Sequence, residues 1–522
     1  MRTERRKNDP DGIHSITSVE AEGVKPMRTL SKSKILAFRQ CPRRLWLEIH
    51  RPELREDSAA TQAAFFTGHH VGDLARALYD PEGSGVLIDP QTEGFEAAFA
   101  RSLSLMQGDK PVFEAGFRAN GALAFADLML PSGTKSWRMV EVKSSTSVKD
   151  YHRDDVAAQA YVARASGVPL TAVSVACIDS GWTYPGDGDY RGLLKEEDLT
   201  EEAFSRTEEV ESWIAEAQHI VALPEMPAMS TGEQCGNPYA CGFHDWCRQG
   251  EPQATHPVTW LPGHWSNALA DHVEQNGIIE LQDVPDELLN ERQLRVKTVT
   301  LSNTPHFDHD AASQALADHA LPAYFMDFET IQFAVPIWKG TRPYRQIPFQ
   351  FSMHRLDEHG QLDHQAFLDL SGNDPSRAFA EALIKAGGQQ GPVYVYFAGF
   401  ERSRINDLCE RFPDLAEPLQ AIVARIVDLL PIARNHYYHP SQQGSWSIKA
   451  VLPAMCPDLD YQALDGVQDG GMAMEAYTEA IAPETSAERK VEIERQLLAY
   501  CALDTYAMVR LWARFTGNAL EQ

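Results

Sequence analysis

Acidic side chains lie inside apolar, strand-like segments at two places that are about two hundred residues apart. In the first, ALAFADLML places Asp127 among apolar neighbours, and RMVEVKSS follows with Glu141. In the second, AYFMDFET places Asp327 and Glu329 two residues apart. Because residues two apart on a strand point to the same face, Asp327 and Glu329 are expected to face the same way. Burying such charge is costly unless a metal ion or a substrate is bound, so each place is a candidate site.

The composition is that of a globular protein with an acidic surface. The chain has 522 residues, a hydrophobic fraction of 43% and a formal net charge of −27. Its length predicts two or three domains. The negative charge argues against non-specific binding of nucleic acid over the whole surface, although a locally basic groove stays compatible with it. No apolar run approaches the roughly 18 residues of a membrane span, so no membrane partner is expected.

Strand and helix patterns divide the chain into four parts. Residues 1–26 lack the apolar core of a signal peptide and are predicted to be a disordered extension. Residues 27–255 and 319–522 each carry an α/β pattern, whereas residues 256–318 hold short amphipathic pieces and are predicted to be a helical connector. Eight scattered cysteines without a secretory signal favour a reducing, cytoplasmic location, where clustered thiols bind metals more often than they form disulfides.

Asp127, Glu141 and Lys143 form the first candidate site. Glu141 and Lys143 are two residues apart on a predicted strand and therefore share a face. Two carboxylates and one ammonium suit hydrolysis of a phosphodiester, with Asp127 and Glu141 on a divalent ion and Lys143 orienting water or offsetting charge. Glu114, on the preceding strand, is a candidate further ligand. Taken alone, the Glu-x-Lys pattern also fits a surface hairpin with solvated charges.

The order of these elements, strand with Asp, turn, strand with Glu-x-Lys, then helix, resembles the PD-(D/E)xK nucleases, specifically their RecB-like branch. The resemblance implies that Gln159 and Tyr161, on the following helix, assist at the site. It also implies a histidine ligand on an early helix after a glycine. The segment GHHVG offers His69 and His70, of which His70 is the candidate ligand.

Three cysteines, Cys235, Cys241 and Cys247, are each separated from the next by five residues. Three thiolates fall short of the four that a closed tetrahedral site uses. Zinc is one interpretation, with His244 or His264 in place of a thiolate, but zinc sites usually space their cysteines by about two to four residues. The other cysteines after Cys41 lie in apolar surroundings and are predicted to be core thiols: Cys177, Cys409, Cys456 and Cys501.

RecB-like nucleases with an iron–sulfur cluster are similar to this chain in a further way, since one cysteine precedes the nuclease core and three follow it. Cys41 matches the first cysteine, inside a predicted helix that begins at Ser31. The resemblance implies a [4Fe-4S] cluster that pins the two ends of the domain together. Zinc stays the alternative metal. The implied ligands are Cys41, Cys235, Cys241 and Cys247.

The second candidate site combines the Asp327 and Glu329 strand with a late helix. In AYCALDTY, Tyr500 and Asp504 are four residues apart and lie on one helix face. Between the two segments, Glu401 follows an apolar strand in VYVYFAGFERSRI. Each pattern alone also fits an ordinary strand end or a solvated helix face.

This arrangement resembles the tyrosine-bearing variant of the DEDD 3′–5′ exonucleases, which have an RNase H-like fold. The resemblance implies that four acids hold two metal ions and that Tyr500 orients the attacking water. Asp428 is a reserve candidate for the third acid, and Lys449 and Arg434 are expected to contact phosphates. The four acids implied are Asp327, Glu329, Glu401 and Asp504.

Together these patterns predict an α/β protein with a PD-(D/E)xK restriction-endonuclease-like domain followed by an RNase H-like DEDD exonuclease domain. The combination resembles a little-characterised bacterial family of predicted nucleases. We expect a Mg²⁺- or Mn²⁺-dependent nuclease in repair, recombination or defence. DNA is favoured over RNA as the substrate, with single-stranded ends as the expected target and 3′–5′ exonuclease action at the C-terminal site. The alternatives are an RNA exonuclease, or a nucleic-acid-binding or redox-sensing protein with one or both sites inactive. No helicase motif is present, so unwinding would need a partner in trans.

Overall fold

The structure, a computed structural model, describes residues 28–518. The predicted disordered extension over residues 1–26 lies outside the described residues. Two separate mixed sheets, each covered by helices, confirm the α/β class. Every helix within residues 28–518 is too short or too polar to traverse a bilayer.

A seven-stranded sheet forms the N-terminal half. Its strands are β1 Leu30–Ser31, β2 Val86–Leu87, β3 Val112–Ala119, β4 Ala122–Pro131, β5 Trp137–Lys143, β6 Leu170–Ile178 and β7 Leu194–Asp198. The order is β2-β3-β4-β5-β6-β7, with β1 paired to β4. Strands β3, β4 and β5 are antiparallel neighbours, whereas β5 and β6 are parallel. A parallel pair needs a crossover, so a helix must follow β5 directly.

The N-terminal half also contains nine α-helices within the described residues, several of which pack on the two faces of this sheet. They are α1 Lys32–Gln40, α2 Pro42–His50, α3 Ala59–Tyr79, α4 Pro90–Glu93, α5 Phe95–Leu105, α6 Asp150–Ala165, α7 Thr200–Ser205, α8 Thr207–Ala222 and α9 His244–Gln249. The crossover helix is α6. Its buried face joins the main core of this half with residues such as Met129, Val156 and Val175. The opposite face of the sheet packs against Ala75 of α3.

The predicted helix around Cys41 is wrong as a single element. It is two helices, α1 and α2, that meet at Cys41, whose backbone is extended with φ −163° and ψ 120°. The cause is Pro42, which disfavours a helical conformation at the residue before it and fits well as the first residue of the next helix. Cys41 therefore lies at a corner between two helices.

Residues between the two sheets form α10 Asn267–Asn276, α11 Glu291–Ser302, β8 His306–Phe307 and α12 His309–Leu316. One small apolar cluster gathers Val258, Leu269 and Leu281. In contrast, Val296 of α11 and Leu316 of α12 belong to the core of the C-terminal half. The later part of this region is thus packed onto the second sheet.

A five-stranded sheet organises the C-terminal half. Its strands are β9 Ala323–Ile331, β10 Ile347–Leu356, β11 Leu362–Leu368, β12 Val393–Val395 and β13 Ile426–Asp428, while β14 Tyr437–Tyr438 pairs with β8. The order is β11-β10-β9-β12-β13. The central strand β9 is antiparallel to β10 and parallel to β12.

The helices of this half are α13 Ser376–Ala386, α14 Ala398–Arg411, α15 Ala416–Val423, α16 Leu429–His436, α17 Ile448–Met455, α18 Gly470–Ile481 and α19 Ala487–Thr516. Helix α19 begins at the N-cap Ser486, whose side chain accepts from the Arg489 amide, and ends at Gly517 with φ 76°. A polar N-cap and a left-handed glycine are the usual limits of a helix.

Strand β9 alternates between two cores. Tyr324, Met326 and Phe328 face the core formed with α13, α14 and α15, whereas Phe325 and Ile331 face the core that contains α19. Because side chains alternate along a strand, Asp327 and Glu329 share the face of Phe325. They therefore point toward α19.

Candidate functional site

The N-terminal acidic site, as named here, centres on Glu141 at the end of β5. Its Oε1 accepts hydrogen bonds from Nζ of Lys32 at 2.8 Å and of Lys143 at 2.6 Å. Its Oε2 accepts from Nε2 of Gln159 at 2.7 Å, and the residue is only 2% exposed. The site comprises Lys32, Asp127, Glu141, Lys143, Asp155 and Gln159.

Lys32 and Asp155 also belong to this site, although neither was predicted from the sequence. Lys143 Nζ lies 2.6 Å from Oδ2 of Asp155, and Lys32 Nζ lies 3.1 Å from Oδ1. Gln159 Nε2 also donates to Asp155 Oδ1 at 3.0 Å. Asp155 is four residues before Gln159 on α6, a spacing that places both on one helix face and could have revealed it. No local pattern marks Lys32, which reaches the site from α1.

Asp127 and Glu114 lie on neighbouring strands at the edge of the site. Oδ2 of Asp127 accepts from the Val142 amide at 2.7 Å, which fixes the carboxylate beside the end of β5. Glu114 is half-buried, its Oε1 lies 3.8 Å from Arg76 Nη1, and its backbone has a φ of 53°. A positive φ at a non-glycine residue is uncommon and marks a local distortion of β3.

The acids of this site differ in how readily they bind a proton. Burial and the neighbouring charge of Glu141 raise the pKa of Asp127 and of Glu114. Burial also opposes ionisation of Asp155, but Lys143 and Lys32 outweigh it and hold the pKa of Asp155 far below its usual range. Asp155 is therefore a permanent counter-charge for the two lysines, whereas Asp127 and Glu114 bind a proton more readily.

Of the two predicted residues on α6, the structure brings only Gln159 to the site. The hydroxyl of Tyr161 accepts from Asn120 Nδ2 at 2.6 Å and donates to Glu211 Oε1 at 3.1 Å. Residues two apart on a helix are separated by about 200°, so Gln159 and Tyr161 cannot face the same way. The predicted role of Tyr161 at the site therefore has no support in the geometry.

The predicted histidine ligand also stands apart. His70 is exposed on α3, and its side chain makes no hydrogen bond within residues 28–518. The side chain of its neighbour His69 is hydrogen-bonded through Nδ1 to the Phe65 carbonyl of the same helix at 2.7 Å. Neither histidine joins the hydrogen-bonded network around Glu141.

The C-terminal acidic site is built on β9 and α19. Within residues 28–518, one group of three side chains brings potential metal-ligand atoms within 4.8 Å of one another, namely Asp327, Glu329 and Cys501. Cys501 is fully buried, as predicted for a core thiol, but its position beside two acids was not foreseen. Burial and the charges of Asp327 and Glu329 raise the pKa of the Cys501 thiol well above its usual value, so it stays protonated.

Asp504 completes this site from the next turn of α19. Its Oδ1 accepts a 2.6 Å hydrogen bond from the hydroxyl of Tyr461, a residue missed by the sequence analysis. The ring of Tyr500 lies 6.3 Å from that of Tyr461, and the Lys449 ammonium lies 5.1 Å from the ring centroid of Tyr500 and 5.3 Å from that of Tyr461. Two tyrosines and one lysine thus surround Asp504.

Glu401 lies in the first turn of α14 and is 2% exposed. Its Oε2 has no hydrogen-bond partner in the described structure. Burial raises the pKa of Glu401 to about 8, and the charge of Asp428 adds to this. The charge of Glu401 is also among the causes that raise the pKa of Asp327, after burial, Asp504 and Glu329.

The reserve candidate Asp428 has a structural position. Its Oδ1 accepts from the amides of Phe397 at 3.0 Å and Leu430 at 2.9 Å, and its Oδ2 accepts from the Ala398 amide at 3.0 Å. It therefore caps α16 and holds the turn that begins α14. By fixing that turn, Asp428 positions Glu401.

Like charges dominate the C-terminal acidic site. Burial, then Asp504 and Glu329, raise the pKa of Asp327 well above its usual value. Burial and Asp504 raise the pKa of Glu329 to about 8, against the opposing charge of Lys449. Arg434, the other predicted phosphate contact, is exposed on α16. Lys449 is thus the cation nearest to these acids among the two predicted.

The four cysteines implied as cluster ligands line one cavity together with Met229. The Cys41 sulfur is 3.3 Å from the Met229 sulfur. Gln40, at the end of α1, donates to the carbonyls of Gln234 at 2.7 Å and Tyr239 at 2.8 Å, and so ties the helix corner to the cysteine loop. The four thiols are those of Cys41, Cys235, Cys241 and Cys247.

Two arginines lie beside these thiols. Burial raises the pKa of Cys241 and of Cys247, while the charges of Arg44 and Arg43 oppose this. Of the two histidines considered for a zinc site, His244 lines the cavity, whereas His264 is bonded to the Trp265 carbonyl at 2.6 Å and does not. The donor set is therefore four thiols with one histidine at the rim.

Comparison with known proteins adds little about function. Residues 324–447 match a family described as "Domain of unknown function (DUF2779)". This range includes Asp327, Glu329 and Glu401 but ends before α19. No curated protein matches the chain. A solved structure titled "Crystal structure of SSO0001" is 14% identical, with 39% of this chain and 82% of that chain covered and a TM-score of 0.21, which is too low to assign a fold.

Proposed function

We propose that the chain is a metal-dependent nuclease with two hydrolytic sites that acts on DNA ends in repair, recombination or defence. The observation that carries the proposal is the C-terminal acidic site. There, ligand atoms of Asp327, which is partly buried, and of Glu329, which is buried, lie within 4.8 Å of each other, and the charge of Asp504 raises the pKa of both. None of the three acids has an ion-paired partner among the described residues. Buried carboxylates that raise each other's pKa are typical of a functional site and favour a cation from solution.

The arrangement of elements supports the two folds that we propose. For the N-terminal half we propose the PD-(D/E)xK fold, because acids on the antiparallel strands β4 and β5 are followed by the crossover helix α6 with Gln159. For the C-terminal half we propose the RNase H-like fold, because Asp327 and Glu329 lie on the central strand and Asp504 on the last helix.

A divalent ion bound at the C-terminal acidic site would lower the pKa of a bound water and polarise a phosphoryl oxygen. Asp327, Glu329 and Asp504 are the residues that would hold it, with Glu401 as the fourth acid. The donor set fits, since all are carboxylates and Oε2 of Glu401 is a buried acceptor without a partner. Magnesium and manganese both prefer such oxygen ligands.

The neutral and cationic neighbours of these acids have separate tasks. Tyr461 donates to Asp504 and fixes the orientation of that carboxylate. Tyr500 presents a hydroxyl beside the same acid, where it can orient a water for attack. Lys449 adds positive charge next to both rings and would offset the negative charge of a phosphate.

At the N-terminal acidic site, Asp127 and Glu141 are the residues that would hold a divalent ion, with Glu114 at the edge. Oε1 of Gln159 is buried without a partner in the described structure, which leaves one further acceptor. Lys143 is held by Glu141 and Asp155 at 2.6 Å each, so its ammonium is fixed in place to offset charge at a phosphate.

We also propose that Cys41, Cys235, Cys241 and Cys247 bind a [4Fe-4S] cluster that fastens the two ends of the N-terminal half. Four thiols on one cavity match the ligand set of such a cluster. Protein purified without oxygen should be brown and absorb visible light, and Cys241→Ser should lose the colour. A colourless preparation with bound zinc would overturn the cluster in favour of the zinc site.

Nuclease assays with separately inactivated sites test the proposed activity. Purified protein with Mn²⁺ is incubated with single-stranded and double-stranded DNA and with RNA, labelled at the 5′ or the 3′ end. We expect Asp327→Asn and Asp127→Asn each to lower the cleavage rate of its own site by at least about 100-fold. Disturbing the ligation of a metal site typically costs up to about that factor in metal affinity or activity. The control Asp465→Asn changes an exposed acid paired with Arg495 and should keep full activity.

The labels also separate the modes of cleavage. A 3′–5′ exonuclease shortens a 5′-labelled strand one nucleotide at a time, and Asp327→Asn should abolish that ladder. No cleavage of any substrate by the wild type, or wild-type activity in the variant Asp127→Asn/Asp327→Asn, would overturn the proposal.

A second candidate function concerns the N-terminal half alone. Lys32 and Lys143 already neutralise Glu141 and Asp155 within the protein, so this site needs no external ion to balance those charges. That observation favours a unit that binds nucleic acid without cutting it. In this case Asp127→Asn would leave all cleavage unchanged, while Lys143→Ala would weaken binding of labelled DNA in a filter or mobility assay.

A further inference from the structure

The two halves of the molecule meet through the loop that joins β9 to β10, residues 332–346, here called the bridging loop. It begins just after the strand that carries Glu329. Ala334 and Val335 of this loop are buried against Ile178 and Leu193 of the N-terminal half, and Val142 packs on the same cluster. One apolar cluster is thus shared by the bridging loop and the strand that ends at Lys143.

Polar contacts fasten the bridging loop at several points. The Tyr184 amide donates to the Thr341 carbonyl at 3.0 Å, and the Gly340 amide donates to the Tyr184 carbonyl at 2.8 Å. The hydroxyl of Tyr190 donates to the Pro336 carbonyl at 3.2 Å. Tyr184 and Tyr190 stack with ring centroids 4.8 Å apart. These contacts hold the loop on the N-terminal half.

Tyr344 makes the contact closest to the N-terminal acidic site. Its hydroxyl donates to the carbonyl of Ser144, the residue directly after Lys143. Its backbone has a φ of 57°, and its amide donates to the Phe333 carbonyl at 2.8 Å. Such a conformation is unfavourable for a non-glycine residue and persists where the surrounding structure determines it, often near functional sites.

We infer that Tyr344 is a positioning residue for the N-terminal acidic site, so that the C-terminal half helps to build the active site of the other half. This inference rests on the proposed nuclease function. The chain after Lys143 is held from two sides, by the Ile178 amide on the Ser145 carbonyl at 3.0 Å and by the Tyr344 hydroxyl on the Ser144 carbonyl. Without the second contact, the segment is fixed by β6 alone.

The consequence for Lys143 follows from its tight geometry. Its ammonium has partners at 2.6 Å on both Glu141 and Asp155, and hydrogen bonds of this length tolerate little displacement of the backbone. A site of this kind loses rate when a reacting group shifts by a fraction of an ångström. Tyr344 therefore acts on the rate through the backbone that carries Lys143, without touching the substrate.

The test compares two Tyr→Phe variants in the same interface. Tyr344→Phe keeps the ring and the backbone but loses the hydroxyl on Ser144, whereas Tyr190→Phe loses the hydroxyl on Pro336. Both are made in the Asp327→Asn background, so that only the N-terminal activity remains. We expect Tyr344→Phe to lower kcat by about tenfold with KM unchanged, and Tyr190→Phe to leave both constants unchanged.

A second measurement does not depend on activity. Hydrogen–deuterium exchange of the peptide over residues 141–148 should become about fivefold faster in Tyr344→Phe, as expected when one hydrogen bond is lost, and stay the same in Tyr190→Phe. Equal kinetic and exchange effects in the two variants would overturn the inference. The hydrogen bond of Tyr344 to Ser144 would then only help to hold the two halves together, as that of Tyr190 does. If no variant cleaves but exchange changes as stated, the nuclease proposal fails and the positional coupling stands.

Discussion

The two acidic sites of this chain balance their charges in opposite ways. In the N-terminal acidic site, Lys32 and Lys143 lie within 3.1 Å of carboxylate oxygens of Glu141 and Asp155. In the C-terminal acidic site, Asp327, Glu329, Glu401 and Asp504 take part in none of the ion pairs found within residues 28–518. Lys449 is near, but it sits over the rings of Tyr461 and Tyr500.

This difference shows how the charges of each site are balanced when no metal ion is bound. In the first, lysine and carboxylate charges are hydrogen-bonded to one another, so the protein itself balances them. The second gathers like charges, and burial together with their mutual repulsion raises the pKa of Asp327 and Glu329 although Lys449 is near. A divalent ion should therefore stabilise the second site far more than the first.

The largest effect is expected from Asp155→Asn. This change leaves Lys32 and Lys143, whose side chains are 23% and 21% exposed, with Glu141 as their one remaining ion-pair partner among the described residues. Removing one partner of a buried ion network typically lowers the free energy of unfolding by about 3 kcal/mol. Urea unfolding in EDTA, followed by tryptophan fluorescence, measures it. Asp465→Asn, which breaks an exposed pair, should change stability by less than about 0.5 kcal/mol, and equal losses in both variants would refute the role of Asp155.

The next effect concerns stabilisation by manganese. A ligand that binds the folded state alone adds about 2.7 kcal/mol at a concentration of 100 times its Kd. Thermal unfolding with and without Mn²⁺ should show a rise in Tm that Asp327→Asn removes and Glu141→Gln largely keeps. The reverse pattern would mean that the N-terminal acidic site is the tighter metal site, and would contradict the comparison.

Manganese affinity should also depend on pH. Burial and the charge of Asp504 raise the pKa of Glu329 to about 8, so below that value a proton competes with the metal. Affinity should rise with pH by up to about tenfold per pH unit as this proton is lost. Isothermal titration over the two pH units below the pKa measures the slope. A flat profile would show that Glu329 is not a ligand.

The smallest effect is a gain of stability. Without metal, Asp327→Asn removes one of several repelling buried charges and should stabilise the protein by about 1 kcal/mol. Since the pKa of Asp327 is raised in the folded state, the folded protein binds the proton more tightly than the unfolded chain, and stability falls as pH rises. The gain should therefore increase with pH. Urea unfolding in EDTA measures it, with Asp465→Asn, at an exposed acid paired with Arg495, as control.

Local sequence patterns predicted the elements that carry the acids. The alternation around Asp127 and around Asp327 predicted strands, and the four-residue spacing of Tyr500 and Asp504 predicted a helix face; all three elements are present. These predictions succeeded because strand and helix periodicity act over a few residues. The same reasoning failed at Cys41, where the preference of the residue before Pro42 outweighed the apolar spacing.

The partners of those acids could not be read from spacing. Lys32 comes to Glu141 from a helix far away in the chain, and Tyr461 comes to Asp504 from a short turn. Tyr161 was expected near Asp127 but is turned toward Glu211. Each of these contacts depends on how helices pack on a sheet, and no short pattern encodes that packing.

The residue types and their periodicity were enough to predict an α/β chain with two separate groups of acids. An acidic residue within an apolar strand can be recognised from its immediate neighbours in the sequence. Tertiary packing decided which acids receive a cation from the protein, as Asp155 does, and which are left to repel one another, as Asp327 and Glu329 are. It also brought Tyr344 of one half onto Ser144 of the other. The interaction between two charges depends on the distance between them, and for residues far apart in the sequence that distance is set by the tertiary fold.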